Sequence, residues 1–362
     1  MSRVRLVVLL LAAVLAASCR TARPRFPRAA EGALLLIGGG LDDDQQPVFD
    51  RFLALAGRDR PPRIVVVTAA SGDQDDMATG KVAALQTWWP GLPCEVVRRE
   101  TTTEATVAAI DRATGLFFTG GDQQRITDRY RPGGRDTPEW LAMRRLLQRG
   151  GVIAGSSAGC AMMGERMLLG GSSGDALGDG GPRVGPGMLF EPWVMTDSHF
   201  FERHRTGRLV AALEATGQRL GIGVSEDGCV ELDLATGVLT GIGTAEALLL
   251  DIGALHRDGP HRRAVRALRV PQSARIDLRE RLQRPVAAPP PRPPAAPAAE
   301  TIVEEGQNRQ LASWRLFARA AEGGVWQLAL DGHRLVAWPA GDGESVFDVE
   351  VGTAPAATDT GR

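Results

Sequence analysis

G-V-I-A-G-S-S-A-G-C, residues Gly151–Cys160, is the stretch on which the fold of this chain turns. Val152–Ala154 is a short apolar run of strand type, and Gly155-Ser156-Ser157-Ala158-Gly159 follows at once, a G-x-S-x-G pattern at the strand's end. Small residues on both sides let the chain turn sharply from strand into helix and hold the central side chain, Ser157, at a strained and exposed tip. The same turn aims the backbone amide of Ala158, at a helix N-terminus, toward whatever Ser157 attacks. Ser156 is one residue out of register. Taken alone, the pattern also suits a glycine-rich connector whose hydroxyls cap a helix; companions elsewhere in the chain favour the nucleophile.

Upstream of the elbow, apolar runs alternate with helical spacing. Ala33–Ile37 and Arg63–Thr68 read as strands buried on both faces, and Cys94–Val97 and Leu116–Thr119 as further strands. Between them Pro47–Ala56, Met77–Trp88 and Glu104–Thr114 read as helices, followed by Gln124–Tyr130 and Glu139–Arg149. This alternation predicts an α/β fold: a doubly wound, mostly parallel sheet with a nucleophile elbow, plus a small C-terminal α+β or β-rich extension. Ligands of such sheets sit beyond the carboxyl ends of the strands, so Gly38–Gly40, Thr119–Gln124 and Gly155–Gly159 are expected to converge. Gly38-Gly39-Gly40 is not G-x-G-x-x-G and reads as a tight turn at the site's rim. Asp42–Asp44 read as caps and turn formers rather than metal ligands. Beyond the elbow a helix is expected through Ala161–Met163, then a mobile glycine-rich loop, Gly170–Gly187, as a rim or lid.

The chain has 362 residues and is 43% hydrophobic, enough for one large domain with additions. A net charge of -1 gives no reason to expect nucleic acid as a partner. Cys19, Cys94, Cys160 and Cys229 lack paired metal spacing, and no metal or organic cofactor is implied. No disulfide follows from the spacing of Cys94, Cys160 and Cys229, and Cys160 reads as a buried filler.

Arg3 and Arg5 precede the apolar run Leu6–Ala17, which is too short to span a bilayer and has the layout of a secretory signal. Leu15-Ala16-Ala17-Ser18-Cys19 resembles a bacterial lipobox, in which Cys19 is lipidated; ordinary cleavage near Ser18 is the other reading of the same residues. The expected protein is exported, either as a periplasmic or cell-surface lipoprotein held to the membrane only through Cys19, or in secreted form.

Gly120-Gly121-Asp122-Gln123 follows the strand ending at Thr119. Two glycines free the backbone to present N–H groups to an oxyanion, and Gln123 adds a donor and an acceptor; a plain turn with an aspartate cap is the alternative. Downstream, D-S-H-F-F-E-R-H-R-T-G-R-L, residues Asp197–Leu209, is dense in functional side chains. Arg203 and Arg205 precede a helix expected over Thr206–Thr216, where a cation is disfavoured unless an anionic ligand offsets it. Gly221–Glu226 reads as a strand ending in acid. A serine nucleophile needs a base, and the base needs an orienting acceptor. Ser157, His199 and Glu226 supply them in chain order.

These four segments, G-G-D-Q at 120–123, G-S-S-A-G at 155–159, D-S-H-F-F-E-R-H-R-T-G-R-L at 197–209 and G-I-G-V-S-E at 221–226, together resemble the cyanophycinases, serine peptidases whose group also contains aspartyl dipeptidase. The resemblance spans roughly residues 33–275. It implies a class-I-glutamine-amidotransferase-like fold and the release of β-Asp-Arg from the ends of cyanophycin, a poly-aspartate bearing arginine on its side chains. Carried over by position, it implies Ser157 as nucleophile, His199 as base and Glu226 as third member. Gly120, Gly121 and Ala158 would hold the oxyanion, and Gln123, Asp197, Ser198, Arg203, Arg205 and Arg208 the substrate. Asp197 would then meet the substrate's guanidinium and the arginines its carboxylates. A homodimer is also implied. One departure stands out: the cyanophycinases have D-Q-H-F where this chain has Asp197-Ser198-His199-Phe200. That leaves the serine-hydrolase chemistry intact but weakens the case for cyanophycin itself; the alternatives are hydrolysis of short isoaspartyl or aspartyl dipeptides and a non-catalytic polymer-binding homologue, against which the intact Ser157, His199 and Glu226 set argues.

The resulting division is a signal or lipoprotein peptide over 1–19, a tether over 20–32, a peptidase domain over 33–284, a Pro-rich linker over 285–299 and a small C-terminal module over 300–362. In that module Ile302–Ala320 reads as helix, and Val325–Leu330, Arg334–Trp338 and Ser345–Val351 as strands, with Asp331-Gly332 as a hairpin turn.

Overall fold

Apolar runs of four or five residues become strands covered on both sides, because successive side chains alternate between two faces and both are apolar here. In the first strand, β1 (Ala33–Ile37), every residue is buried. Leu34 and Leu36 join one apolar cluster with Val65, Val67, Phe118 and Ile153. Leu35 and Ile37 join another with Val66, Phe117 and Ala154. The structure, a computed structural model, describes residues 32–244, 246–293, 300–301, 312–330 and 332–352. The signal, Cys19 and nearly all of the tether therefore lie outside the described residues, as do Asp331 and the first part of the helix expected from Ile302.

After β1 the chain runs α1 (Gln46–Ala56), β2 (Ile64–Val67), α2 (Gln74–Trp88), β3 (Cys94–Val97), α3 (Thr103–Arg112), β4 (Gly115–Phe118), α4 (Gln123–Tyr130), α5 (Pro138–Gln148), β5 (Val152–Ser156) and a single turn, α6 (Ala158–Ala161). Side chains cap several of these helices: Asp73, Thr102, Asp122 and Thr137 each accept from a backbone amide in the first turn. Next come β6 (Arg166–Gly170), α7 (Ser173–Leu177), β7 (Arg183–Pro186), β8 (Val194–Asp197), α8 (Thr206–Thr216) and β9 (Leu220–Val224). Then follow β10 (Cys229–Asp233), β11 (Val238–Ile242), β12 (Ala247–Asp251), β13 (His256–Asp258), β14 (His261–Val270), β15 (Arg275–Asp277) and α9 (Leu278–Gln283). The last elements are β16 (Glu300–Thr301), α10 (Ala312–Glu322), β17 (Trp326–Leu330), β18 (His333–Gly341) and β19 (Glu344–Val351).

The predicted parallel sheet is present as β3-β2-β4-β5-β1, and it continues antiparallel through β10, β11 and β15. A second, nine-stranded sheet runs β16-β17-β18-β19-β14-β12-β9-β8 with β13 on β14. One face of this sheet (Ile222, Val224, Leu249, Val270) shares the first sheet's apolar cluster. Its other face (Leu248, Leu250, Val265, Phe347) packs with α8 and α10 through Leu209, Leu213, Leu316 and Phe317.

Three features differ from the sequence expectation. The elbow helix stops after one turn, because the carbonyls of Met162, Met163 and Gly164 accept amides from the returning segment Met188–Phe190 instead of continuing the helix. The glycine-rich stretch is not simply a loop: β6 and β7 pair antiparallel with a bulge between Leu168 and Gly170, and α7 sits between them behind a capping box formed by Ser172 and Asp175. Finally, the described C-terminal strands do not stand apart. β19 pairs with β14 over residues 344–349, so the extension completes the second sheet and covers what would be an open edge. The Pro-rich stretch is laid against it: Trp338 Nε1 donates to the Pro290 carbonyl at 3.2 Å, and Arg292 pairs with Glu350 at 2.6 Å.

Candidate active site

Strand register brings the loops together. Ile37 lies opposite Ser156 and Phe118 opposite Gly155, so Gly38, Gly120 and Ser157 emerge at one level of the first sheet. Asp197 lies opposite Gly223 on the second sheet, which puts the segments after β8 and β9 side by side. The two sheets are joined at this point by backbone hydrogen bonds. The amides of His199, Asp227 and Gly38 donate to the carbonyls of Gly38, Gly39 and Gly228 at 2.7, 3.0 and 3.0 Å.

Ser157 has φ 53° and ψ −107°, a conformation that L-residues rarely adopt. Such strain is worth about 1–3 kcal/mol and persists only where the surroundings impose it. Here the imposition comes from both flanking glycines. A Cβ on Gly155 would come within 2.2 Å of the Gly159 carbonyl oxygen, and one on Gly159 within 2.7 Å of that of Phe118. The Ser157 amide is fixed to the Ile37 carbonyl at 3.0 Å.

Ser157 Oγ lies 2.7 Å from His199 Nε2, and His199 Nδ1 lies 2.5 Å from Glu226 Oε1. Burial pushes the imidazole below its ordinary pKa, and the Arg203 and Arg205 charges act in the same direction, while Glu226 opposes them. A neutral ring at neutral pH carries its proton on Nδ1, where Glu226 accepts it, and turns the Nε2 lone pair to the Ser157 hydroxyl. The ring lies flat on the chain at Gly39, φ 105°, where an added Cβ would be 2.5 Å from Nε2. The glycine turn read as a rim is thus the seat of the imidazole.

Gly120 faces Ser157, with an added Cβ only 3.3 Å from Ser157 Cβ. Gly121, φ 136°, is obligatory because a Cβ would meet the Ala70 carbonyl at 2.1 Å. The amides of Gly120, Gly121 and Ala158 donate to no other backbone or side chain among the described residues. Gln123 lines the same pocket but its Nε2 donates to the Leu168 carbonyl at 2.6 Å. That pocket has a volume of about 310 Å³. Ser157, Ser198, Arg203, Arg205 and Arg208 border it, together with Arg183, which sequence reasoning passed over.

Asp197 departs from expectation. It is fully buried, and Arg208 grips both its oxygens, Nε to Oδ2 at 2.7 Å and a terminal nitrogen to Oδ1 at 2.5 Å. Arg205 adds a longer contact at 3.3 Å and donates to the Ser198 carbonyl at 2.5 Å. The Asp197 carboxylate is therefore already satisfied inside the protein and does not face the pocket as a receptor for a guanidinium. Burial lowers the pKa of Arg205 to about 10, which leaves it charged at neutral pH. Arg203 is exposed, and its guanidinium has no hydrogen bond or ion pair among the described residues.

Glu202 is a further residue that spacing could not single out. Its carboxylate accepts from Ser225 Oγ, next to Glu226, and so ties the histidine loop to the strand end that carries the acid. Phe201, between them, packs edge-on against Trp314 of α10, ring centroids 5.4 Å apart. Cys160 is fully buried and its thiol is pushed far up by desolvation, as expected of a filler. Cys94, Cys160 and Cys229 are free thiols. Asp42 accepts no metal-like company: its amide caps onto Asp227 at 2.8 Å, and no group of three metal-ligating side chains occurs among the described residues.

A family model described as "Peptidase family S51" matches residues 34–233. The cyanophycinase of Trichormus variabilis (strain ATCC 29413 / PCC 7937) is 31% identical over 252 residues, covering 66% of this chain and 80% of the relative. That of Nostoc sp. (strain PCC 7120 / SAG 25.82 / UTEX 2576) gives the same figures. Among solved structures, a peptidase from an acI-B1 Actinobacterium shares the fold with a TM-score of 0.52 at 17% identity, over 70% of this chain and 100% of that one.

Proposed function

The chain belongs to peptidase family S51 and is a serine peptidase; we propose that it is an exported enzyme of the cyanophycinase type, releasing β-Asp-Arg from cyanophycin with Ser157, His199 and Glu226. The observation that carries this reading is the unbroken relay from Ser157 Oγ through the His199 ring to Glu226. Ser157 Oγ attacks the carbonyl carbon while His199 Nε2 takes its proton, and Glu226 steadies the imidazolium. The amides of Gly120, Gly121 and Ala158 receive the oxyanion. His199 returns the proton to the leaving amine, and water, activated by the same ring, then frees the acyl group from Ser157. Arg203 and Arg205 supply the positive field that a poly-aspartate requires, Arg208 being spent on Asp197.

A second reading is hydrolysis of short isoaspartyl peptides. It is favoured by the internal pairing of Asp197, which removes one expected partner of the polymer's guanidinium, and by Ser198 in place of the longer glutamine. On the same proposal Cys19 is the lipidated N-terminus, which incorporation of labelled fatty acid into the full chain but not into Cys19→Ser would test.

The deciding experiment incubates the protein and Ser157→Ala with cyanophycin and with β-Asp-Arg and identifies products by mass spectrometry. Dipeptide from the polymer, absent with the variant, supports the first reading, and cleavage of the small isopeptide alone supports the second. No cleavage of either, with no covalent labelling of Ser157 by a serine-directed phosphonate, overturns both.

A further inference from the structure

Beside the Ser157 pocket lies a second cavity of about 620 Å³, walled by the glycine-rich segment between β6 and β7. The two share Gly170 and Arg183 in their linings and so adjoin at that point. Arg183 stands opposite Gly170 across the β6–β7 ladder, beside the bulge. Its guanidinium lies against Gly170, where an added Cβ would be 3.8 Å from one terminal nitrogen. It is exposed and has no hydrogen bond or ion pair among the described residues. The cavity also contains two carboxylates. Asp175 is committed to the amide and hydroxyl of Ser172, both at 2.8 Å. Asp179, by contrast, has no hydrogen-bond or ion-pair partner among the described residues.

Outward from Ser157 the order is therefore an uncommitted cation at the neck and an uncommitted anion in the chamber beyond. A ligand group that fits this order is dipolar, with a carboxylate near the scissile bond and a cation farther out. We propose that the glycine-rich cavity is a second substrate subsite. Arg183 pairs there with a carboxylate of the residue flanking the cleaved bond, and Asp179 pairs with that residue's guanidinium. This rests on the peptidase reading of Ser157 and gives it a receptor for the arginine side chain that Asp197, already paired, does not provide. The glycines fit such a role, since their missing side chains are what leave the chamber open.

The test uses the full chain and three synthetic trimers: (β-Asp-Arg)3, the same peptide with its arginine carboxylates amidated, and the same peptide with citrulline for arginine. Arg183→Gln is expected to raise KM for the parent roughly tenfold with kcat held, as for loss of one charge-assisted pair, and to leave KM for the amidated peptide unchanged. Asp179→Asn is expected to do the same for the parent and to leave the citrulline peptide unchanged. Equal losses on all three peptides, or no loss on the parent, overturn the subsite. Binding of the parent to Ser157→Ala, with and without each substitution, is measured by calorimetry. If no peptide is cleaved by the unaltered protein but these affinities still fall roughly tenfold, the catalytic reading fails and the subsite stands; if they do not fall, the subsite fails by itself.

Discussion

Arg208 holds both carboxylate oxygens of Asp197 with neither side chain open to solvent, so a residue expected to meet substrate is instead part of the scaffold. Removing one partner of a buried ion pair strands the other, at about 3–5 kcal/mol. Asp197→Ala is accordingly expected to lower the unfolding free energy by an amount of that order, read as a fall in the denaturant midpoint. A residue that only touched substrate would change KM and leave the midpoint where it was.

The strain at Ser157 gives a second expectation. Glycine relaxes at φ 53°, ψ −107° and alanine does not. Ser157→Gly should be more stable than Ser157→Ala by about 1 kcal/mol, although both are inactive. Thermal unfolding of the pair side by side checks the sign.

His199 is held below the ordinary imidazole pKa, chiefly by burial. On the proposed mechanism the active form is the neutral one, so kcat/KM should rise with pH along a limb whose midpoint lies below the usual histidine value and should be level at neutral pH. Arg203 contributes to that depression. Arg203→Gln therefore shifts the midpoint upward, toward neutrality, besides weakening any anionic substrate. A pH–rate profile showing a downward shift would contradict the electrostatic account.

Gly39→Ala should be crippling although Gly39 is not itself a reacting group. Its methyl group would arrive 2.5 Å from His199 Nε2, so the ring must move away from Ser157. A misplacement of about 1 Å is worth roughly 100-fold in rate, and the loss should appear in kcat with folding preserved in the circular dichroism spectrum.

The C-terminal extension reaches the site through Phe201 and Trp314, with Arg269 stacked on the far ring at 4.4 Å. Trp314→Ala is expected to cost about 3 kcal/mol of stability and to lower kcat more than KM, because Phe201 is two residues from His199. Trp314→Phe should recover most of both. A chain ending at residue 284 should not yield stable, soluble enzyme, since β14 would lose β19 and the apolar layer under α10 would face water.

The parallel half of the fold was legible because strands covered on both sides announce themselves as unbroken apolar runs such as Ala33–Ile37, and the elbow because its glycines are steric necessities. The site's order of Ser157, His199 and Glu226 was legible from residue type and spacing. Burial was not, which is why Asp197 looked available. Nor was strand partnership: β17–β19 read correctly as strands, but nothing local to Ser345–Val351 says that its partner is β14, about eighty residues earlier. The seat of the imidazole on Gly39 was invisible for the same reason, since it is a contact between loops that only the register of β1 against β5 and the backbone bonds to 199 and 227–228 create.

Ser157 leaves one sheet while His199 and Glu226 leave the other. On the proposed mechanism neither sheet carries the reaction alone, since the Ser157–His199 distance exists only across the seam between them. A chain in which only one sheet has formed cannot, on that mechanism, place Ser157 against His199. On the same mechanism, a shift of about 1 Å across that seam is expected to cost roughly 100-fold in rate without unfolding the chain.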